Sequence, residues 1–248
     1  NGSDWTTTAP TVTPLLSRLA RSIPQDSITA NTALAIQGDT IAVSGTVATG
    51  NTPSSGAVYV YTRNGSDWST SLPTESILAA SDGSAQDHFG YSIDLDGDKL
   101  VVGAEAKQNR GGAYLYEKGV TGWNSATETI LDASDLQTGD RYGSSVVING
   151  NTIAVSAPYH SGANEKSGAV YLFDGSGGWN NPTEIKLTQA DQNSYFLFGS
   201  SLALDGNLLA VGTNKTSVFL FDGSAGWDLY HETKLSYPAS SDLLGLGF

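Results

Sequence analysis

Five tryptophans recur along the chain at nearly regular intervals, and this spacing constrains the fold more than any other feature. They are Trp5, Trp68, Trp123, Trp179 and Trp227, separated by 63, 55, 56 and 48 residues, and the sequence has no others. A period of about 55 residues is typical of solenoids and propellers, in which each repeat is one supersecondary unit. The chain is therefore predicted to be a repeat protein.

A short turn in each repeat is flanked by alternating apolar residues. The turns read QGDT, DGDK, NGNT and DGNL around Gly38, Gly97, Gly150 and Gly206. Asp-Gly and Asn-Gly pairs favour two-residue hairpins, because both central positions need a positive φ. Apolar residues lie two and four positions before each glycine, and three and five after it. This period-2 pattern predicts two antiparallel strands that share a face.

Two further strands complete each predicted unit. The third segments, AVYVY (57–61), GAYLY (112–116), AVYLF (169–173) and SVFLF (217–221), are apolar on both faces. A glycine-rich turn then leads to a tryptophan and a more polar fourth strand. Buried inner strands with a polar outer strand are typical of a propeller blade. A β-helix would need shorter coils, and separate sandwiches would need one polar face per strand. We predict an all-β propeller of four-stranded antiparallel blades.

The phase of the repeat predicts one propeller region over residues 1–248. Four full blades cover about residues 17–77, 78–130, 131–186 and 187–234, with part-blades at 1–16 and 235–248. Together with the absence of methionine, the part-blades indicate a processed chain or a piece of a longer one. An incomplete blade exposes apolar faces and an unpaired edge. We therefore expect further chain or self-assembly at the open blade ends.

Composition narrows the range of partners. The net charge is −13, with 12 lysines and arginines, which argues against nucleic acid as a partner. No apolar run is long enough for membrane insertion. The chain has no cysteine, which excludes disulfides, thiolate zinc sites and a cysteine nucleophile.

Short motifs before and after the inner strands resemble the FG-GAP repeat, the blade unit of integrin α-like propellers and of many secreted proteins. DHFGYS (87–92), DRYGSS (140–145) and LFGSS (197–201) precede the first strands, and VGAE (102–105), VSAP (155–158) and VGTN (211–214) follow the second. The resemblance covers about residues 17–248, although the first copy has Ala30-Asn31 where Phe-Gly is expected. It implies a β-propeller at an extracellular or cell-surface location.

The family often binds calcium through an acidic loop, and DLDGDK is the best match here. It contains Asp94, Asp96 and Asp98 but is too short, and calcium needs six to eight oxygen ligands. The favoured interpretation is a plain Asp-Gly hairpin. We predict no metal or cofactor, with these three aspartates as the weak calcium candidates.

No pattern of catalytic residues stands out. The histidines, His88, His160 and His231, lack a second ligand at metal spacing and are expected on the surface. A glutamate recurs in every fourth strand (Glu75, Glu128, Glu184 and Glu232), which favours a structural or solvated role, because a catalytic acid is usually unique. Two aspartate pairs precede the Phe-Gly motifs, Asp82/Asp87 and Asp135/Asp140, and are expected to cap turns.

One loop face varies between the repeats, and irregular loops on a regular scaffold are where binding usually occurs. The candidate ligand-binding residues on it are His88, Glu105, Arg110, Arg141, Tyr159, His160, Tyr195 and Phe196. For the three aromatic residues, capping of the blade core is the favoured interpretation and ligand binding is the alternative. Sequons begin at Asn1, Asn64 and Asn214, which makes these residues possible glycosylation sites.

The sequence favours a non-enzymatic extracellular scaffold for adhesion or assembly that binds protein partners through the loop face. The alternative is a glycan-binding, lectin-like propeller. A propeller hydrolase or lyase would need a unique cluster of acid, base and arginine on one face.

Overall fold

The computed structural model describes residues 33–45, 55–66, 68, 72–162, 164–189, 194–215, 217–227 and 232–236. These residues form sixteen β-strands and two short 3-10 turns, Lys107–Asn109 and Gly223–Ala225. The first sheet contains β1 (Leu34–Gln37), β2 (Thr40–Gly45), β3 (Ala57–Thr62) and β4 (Thr74–Leu78). The second contains β5 (Phe89–Asp96), β6 (Lys99–Ala104), β7 (Gly112–Gly119) and β8 (Gly122–Ile130). The third contains β9 (Val146–Asn149), β10 (Thr152–Ala157), β11 (Ala169–Asp174) and β12 (Thr183–Leu187). The fourth contains β13 (Ser201–Asp205), β14 (Leu208–Gly212), β15 (Ser217–Asp222) and β16 (Glu232–Ser236).

Each sheet is antiparallel with its strands in chain order, which confirms the predicted four-stranded blades. The first two strands of each sheet form the predicted hairpin, as in the pairing of Asn149 with Thr152. Gly150 in that turn has a φ of 60°. Glycine enters this left-handed region without steric cost. The alternation of apolar residues therefore predicts both the strands and their register.

Apolar cores fill the spaces between successive sheets. Val58 and Val60 of β3 pack with Ile93 and Leu95 of β5 in the core between the first two sheets. Equivalent cores lie between the second and third sheets and between the third and fourth. Residues 57–61, 112–116 and 169–173 are all buried. This burial confirms that these inner strands are covered on both faces.

Three of the described tryptophans lie in or shortly before the fourth strands of their sheets. Trp123 lies in β8, whereas Trp179 and Trp227 lie in the turns before β12 and β16. A Cβ added at Gly175 or Gly223 would come within 3.0 Å of the indole four residues later. Each indole therefore packs directly on the backbone of its turn, which explains why glycine and tryptophan recur together.

Successive sheets approach each other most closely at the start of each third strand. The aromatic residue of each Phe-Gly motif donates its backbone N–H to a carbonyl oxygen of the previous sheet. The pairs are Phe89–Ser55, Tyr142–Arg110 and Phe198–Ser167, at 2.9, 2.9 and 3.0 Å. The residues after these carbonyls are Gly56, Gly111 and Gly168, each in a parallel bridge with the aromatic residue. An added Cβ at any of these glycines would come within 3.0 Å of that residue's backbone. We call this close approach the FG–glycine contact.

The aromatic rings of the Phe-Gly motifs then enter the cores. The Phe89 ring lies edge-on to Tyr114 and Tyr116, with centroids 5.4 and 6.0 Å away. Tyr142 packs in the same way on Tyr171, at 5.7 Å. Such edge-to-face pairs contribute about 0.5–1.5 kcal/mol beyond their buried area. The same residue thus joins two sheets through its backbone and packs within one sheet through its ring.

The outer faces of the first and fourth sheets are more exposed. Leu34 and Ile36 of β1 are 69% and 71% exposed, and Val218 and Leu235 of the fourth sheet are 40% and 52% exposed. Val170 and Leu187, which are equivalent to Val218 and Leu235 in the third sheet, are 0% and 1% exposed because the fourth sheet covers them. Association through the exposed faces stays a prediction. The predicted part-blade at 1–16 lies outside the described residues, and so do residues 237–248 of the one predicted at 235–248, whose first two residues belong to β16.

Substitution of Gly111 tests the FG–glycine contact. Gly111→Ala should lower the free energy of unfolding by about 3 kcal/mol or more, because left-handed strain and overlap with the Tyr142 backbone act together. The control is Gly150→Ala, whose φ is also positive but whose Cβ would meet nothing within 4 Å. That change should cost about 1–2 kcal/mol. Urea unfolding would measure both, and equal losses would contradict the role of the contact.

Candidate functional site

Two sets of loops meet at one end of the sheets. One set precedes the Phe-Gly motifs (residues 79–88, 132–141 and 194–197), and the other joins second to third strands (105–111 and 158–168). Backbone hydrogen bonds connect the sets, from Gly139 to the carbonyl of Asn109 at 2.6 Å and from Tyr195 to the carbonyl of Glu165 at 2.9 Å. We call these five loops the loop face.

The backbone of the loop face is held in an unusual conformation. Non-glycine residues rarely adopt a positive φ, and each such residue costs about 1–3 kcal/mol. All eight non-glycine examples in the described part of the chain lie on the loop face, namely Gln86, His88, Gln108, Asn109, Arg141, Lys166, Tyr195 and Leu197. His88, Arg141 and Leu197 each stand directly before the aromatic residue of a Phe-Gly motif. The FG–glycine contact therefore imposes this conformation in three successive sheets.

Two tyrosines and two cations lie side by side on the loop face. The Arg141 guanidinium carbon is 4.6 Å from the ring centroid of Tyr159. The Lys166 ammonium is 5.7 Å from the Tyr159 centroid and 5.4 Å from that of Tyr195. A hydrogen bond to the Glu165 carboxylate raises the pKa of Tyr195. We call Arg141, Tyr159, Lys166 and Tyr195 the tyrosine–cation row.

Glu105 connects this row to the second sheet. Its carboxylate lies 3.2 Å from Nδ1 of His88 and 3.7 Å from Nε of Arg141. Its side chain is only 10% exposed, whereas those of His88 and Arg141 are 40% and 51% exposed. Glu105 thus holds one histidine and one arginine at the surface across the boundary between two sheets.

A cavity of about 790 Å³ opens beside His88. Its polar lining residues are Ser84, Gln86, Asp87, His88, Gln108 and Asn109. The cavity and the tyrosine–cation row share the loop face, so the described surface combines a polar recess with an exposed aromatic and cationic patch.

The expectation that His160 lies on the surface is wrong, because this residue is 2% exposed. Its Nδ1 lies 2.8 Å from the buried Asp140 carboxylate, and its Nε2 lies 2.8 Å from the Lys186 ammonium. Lys186 and the Tyr171 hydroxyl both donate to Asp135, at 2.5 and 2.6 Å. The ammonium can only donate, so Nδ1 carries the imidazole proton that is donated to Asp140. His160 therefore links buried polar groups and is not available to a ligand.

Lys107 occupies the equivalent position in the second sheet, five residues after Val102 as His160 is after Val155. It is 4% exposed, and its ammonium donates to Asp82 and, at 2.5 Å, to the Tyr114 hydroxyl. Partial burial acts to raise the pKa of Asp82, but the Lys107 and Tyr114 hydrogen bonds outweigh it and hold that pKa below its usual value.

The pKa of Asp135 is lowered in the same way. Burial opposes the shift, but the hydrogen bonds from Lys186 and Tyr171 outweigh it. Asp87 and Asp140 cap their turns as predicted, since their carboxylates accept the amides of Ser84 and Gln137 at 2.8 and 2.7 Å.

The recurring glutamates connect neighbouring sheets, which confirms their structural role in two repeats. Glu128 accepts the Ser81 amide at 3.0 Å and the Tyr116 hydroxyl at 2.6 Å. Glu184 accepts the amide and hydroxyl of Ser134 at 3.0 and 2.8 Å. Each serine lies in the connection between the glutamate's own sheet and the sheet before it.

The three weak calcium candidates are engaged elsewhere. Asp94 accepts the Ile148 amide at 2.8 Å, and Asp96 accepts the Gly150 amide at 2.6 Å, so both bind the next hairpin. Asp98 pairs with a lysine at 3.1 Å. Burial raises the pKa of Asp94 despite its amide hydrogen bonds. Across the described residues, no group of three or more His, Asp or Glu side chains forms a candidate metal site.

The structure separates other predicted candidates from the row. Arg110 forms a two-pronged ion pair with Asp132 at 2.9 and 3.2 Å. Phe196 is partly buried and lies 5.6 Å from the Lys234 ammonium. The structure thus brings together His88, Glu105, Arg141, Tyr159 and Tyr195.

The sequons lie in different settings. Asn64 is exposed, and its amide donates to the Leu72 carbonyl at 2.9 Å. Asn214 is also exposed. Asn1, like His231, lies outside the described residues.

Sequence reasoning missed Lys166, which stands between the two tyrosines, and the buried Lys107. Lys107 could have been found by aligning VGAEAK with VSAPYH, which places it opposite His160. Lys166 carries no such signal, because a lysine in a polar loop resembles any solvated residue.

A family model supports the blade unit. The FG-GAP repeat family model matches residues 73–116 and 126–173. Both matches run from a fourth strand to the third strand of the next sheet, so each contains the aromatic residue of one FG–glycine contact and the glycine of the next. Among solved structures, the computationally designed Ika4 protein is similar, with 13% identity and a TM-score of 0.47 over 79% of this chain and 92% of that chain. No curated protein matches the sequence. None of the helical turns in the described part of the chain is long and apolar enough to cross a bilayer.

The lowered pKa of Asp135 predicts a loss of stability in acid. A carboxylate whose pKa is lowered by folding stabilises the fold above its unfolded pKa of about 3.9, and this contribution is lost as the pH falls through the folded pKa. Asp135→Asn should therefore be less stable than the parent at pH 6, but should lose less stability between pH 6 and pH 3. Urea midpoints at pH 6, 4.5 and 3 would measure this. Asp98→Asn, which removes an exposed carboxylate, is the control. Parallel pH profiles for Asp135→Asn and the parent would contradict the prediction.

Proposed function

We propose that this chain, an FG-GAP repeat protein whose repeats fold into β-propeller blades, is a non-enzymatic extracellular scaffold that binds protein partners through its loop face. The observation that carries the proposal is the tyrosine–cation row. Tyrosine and arginine are the residues most enriched at protein-binding hot spots. Here they stand on loops that three sheets hold in place.

The restrained backbone conformation of the loop face, with its eight positive-φ residues, also supports protein binding. Side chains on restrained loops lose less conformational freedom when a partner binds, so more of the interaction energy contributes to affinity. Residues in such strained backbone conformations cluster at ligand-binding and active sites in other proteins. Arg141 and Tyr195 combine such a backbone with side chains that reach solvent.

The non-enzymatic part of the proposal rests on how the acidic and imidazole groups are used. Glu128 and Glu184 bind serines of neighbouring connections, and Asp135 and Asp140 bind the His160 cluster. These groups hold the blades together. The FG-GAP repeats support the proposed extracellular location, because such repeats are typical of extracellular proteins.

Selection of binding peptides tests the proposal. A displayed library of random 12-residue peptides would be panned against the wild-type chain, and the affinity of selected peptides measured by biolayer interferometry. Tyr159→Ala/Tyr195→Ala should weaken the selected peptides by about 2 kcal/mol, the loss expected for hot-spot residues. Leu72→Ala/Val120→Ala is the matched control, because these exposed apolar side chains lie outside the loop face. Equal losses in the two variants, or no loss in either, would place binding elsewhere and contradict the proposal.

The polar cavity favours a second candidate, a glycan-binding propeller. Gln86, Gln108 and Asn109 provide amide groups that can donate to and accept from sugar hydroxyls. A glycan array should then show binding that is lost in Gln86→Ala/Gln108→Ala and kept in Tyr159→Ala/Tyr195→Ala. An array without binding would count against this candidate.

A further inference from the structure

We propose that the tyrosine–cation row is a receptor for an acidic peptide segment, one that presents an aspartate, a glutamate or a C-terminal carboxylate to Arg141. The inference rests on the proposed function and names the chemistry of the partner.

Arg141 differs from the other arginines that the structure describes. Arg63 pairs with Asp39, and Arg110 pairs with both carboxylate oxygens of Asp132. Arg141 meets a carboxylate only through Nε, at 3.7 Å from Glu105. Its two terminal nitrogens bind no described residue, and its side chain is 51% exposed. The pair of N–H groups that binds carboxylates with two parallel hydrogen bonds is therefore free to take a ligand.

Lys166 adds a second cation without a carboxylate partner in the described structure. Its ammonium lies over the rings of Tyr159 and Tyr195. Ring contacts hold an ammonium in place while leaving its N–H groups less saturated than an ion pair does. Both cations lie against Tyr159, and the Glu105 and Glu165 carboxylates lie beside the row. The row therefore offers an anion the directed N–H groups of its cations and no local excess of positive charge.

The chain as a whole strongly favours cations over anions at its surface, since its net charge is −13. Long-range repulsion therefore opposes polyanions such as nucleic acids and sulfated polysaccharides, whose binding needs many cations. A partner that presents one or two carboxylates experiences less repulsion and gains the directed contact with Arg141. The charge distribution thus favours a short acidic segment.

The position of the cations also disfavours sugars at the row. Aromatic residues bind sugars through an open ring face, but Arg141 and Lys166 lie against Tyr159, and Lys166 lies against Tyr195. The ring edges and the exposed part of Tyr195 remain available, and apolar side chains next to the acidic residue can pack there. We therefore expect the acidic residue to be flanked by apolar ones.

A paired peptide array tests the inference. Each peptide is printed in an acidic form and in an amide form, with Asn and Gln replacing Asp and Glu. The wild-type chain should prefer the acidic forms, and raising NaCl from 0.05 to 0.5 M should reduce that preference. Arg141→Gln/Lys166→Gln should weaken acidic peptides about tenfold, the change expected when a charge-assisted hydrogen bond is lost.

The matched control is Arg63→Gln/Lys118→Gln, which makes the same change in net charge. Arg63 pairs with Asp39 and Lys118 pairs with Asp98. Both pairs lie beside the Gly38 and Gly97 hairpins, away from the loop face. This variant should retain the preference for acidic peptides. Arg141→Lys, which keeps the charge but loses the paired N–H groups, should bind acidic peptides with intermediate affinity. Circular dichroism and thermal unfolding would establish that each variant is folded.

The outcomes separate this inference from the proposed function. Equal binding of acidic and amide forms, lost in Tyr159→Ala/Tyr195→Ala, would overturn the acidic preference and leave the loop face as a protein-binding surface. Acidic preference retained in Arg141→Gln/Lys166→Gln would also overturn the inference. Binding to acidic sugars on a glycan array, with no binding to either peptide form, would overturn both. Loss of the acidic preference in Arg141→Gln/Lys166→Gln, but not in the control variant, would support the inference.

Discussion

The FG–glycine contact is the constraint on which the rest of the structure depends. It brings two backbones closer than any side chain allows, so the glycine is required by sterics and the hydrogen bond sets the position of the next sheet. Tyr142 shows both consequences, since its N–H fixes it to the second sheet while its ring enters the core of the third. Because the contact recurs in three successive sheets, the spacing of the sheets and of their loops is repeated with it.

Polar links between sheets show that geometry is repeated more strictly than residue identity. In the second sheet the cation beside Asp82 comes from Lys107, whereas in the third His160 takes that position and Lys186 of β12 supplies the ammonium. In both sheets an aspartate accepts hydrogen bonds from a lysine ammonium and a tyrosine hydroxyl. Lys107 is buried and needs this carboxylate, because an unpaired buried charge is costly. Each of these two repeats therefore supplies a cation to the aspartate at this position, but the residue that supplies it differs between repeats.

The sequence predicted the elements whose signals are local, and it missed contacts between residues that are distant in the chain, such as those of His160 with residues 20 and 26 positions away. Hairpins, third strands and Phe-Gly motifs are visible within ten residues, and the structure confirms them. The burial of His160 depends on Asp140 and Lys186, which no local pattern connects to it. For the candidate site, irregular loops identified Arg141, Tyr159 and Tyr195. Lys166 could not be distinguished from a solvated lysine, because its significance comes from two rings that only folding brings beside it.

The same contact explains why specificity can reside on the loop face at little structural cost. The residue before each Phe-Gly aromatic is held at positive φ, whichever side chain it carries, and it is His88, Arg141 or Leu197 in successive sheets. Its backbone conformation allows the next residue to form the FG–glycine contact, and the side chains of His88 and Arg141 reach solvent. A change of side chain there alters charge and hydrogen bonding at the surface without removing the backbone hydrogen bond that joins the sheets. Arg141 thus occupies a position at which the fold tolerates different side chains. The neighbouring Tyr159 and Glu105 limit which ligands a side chain at this position can bind.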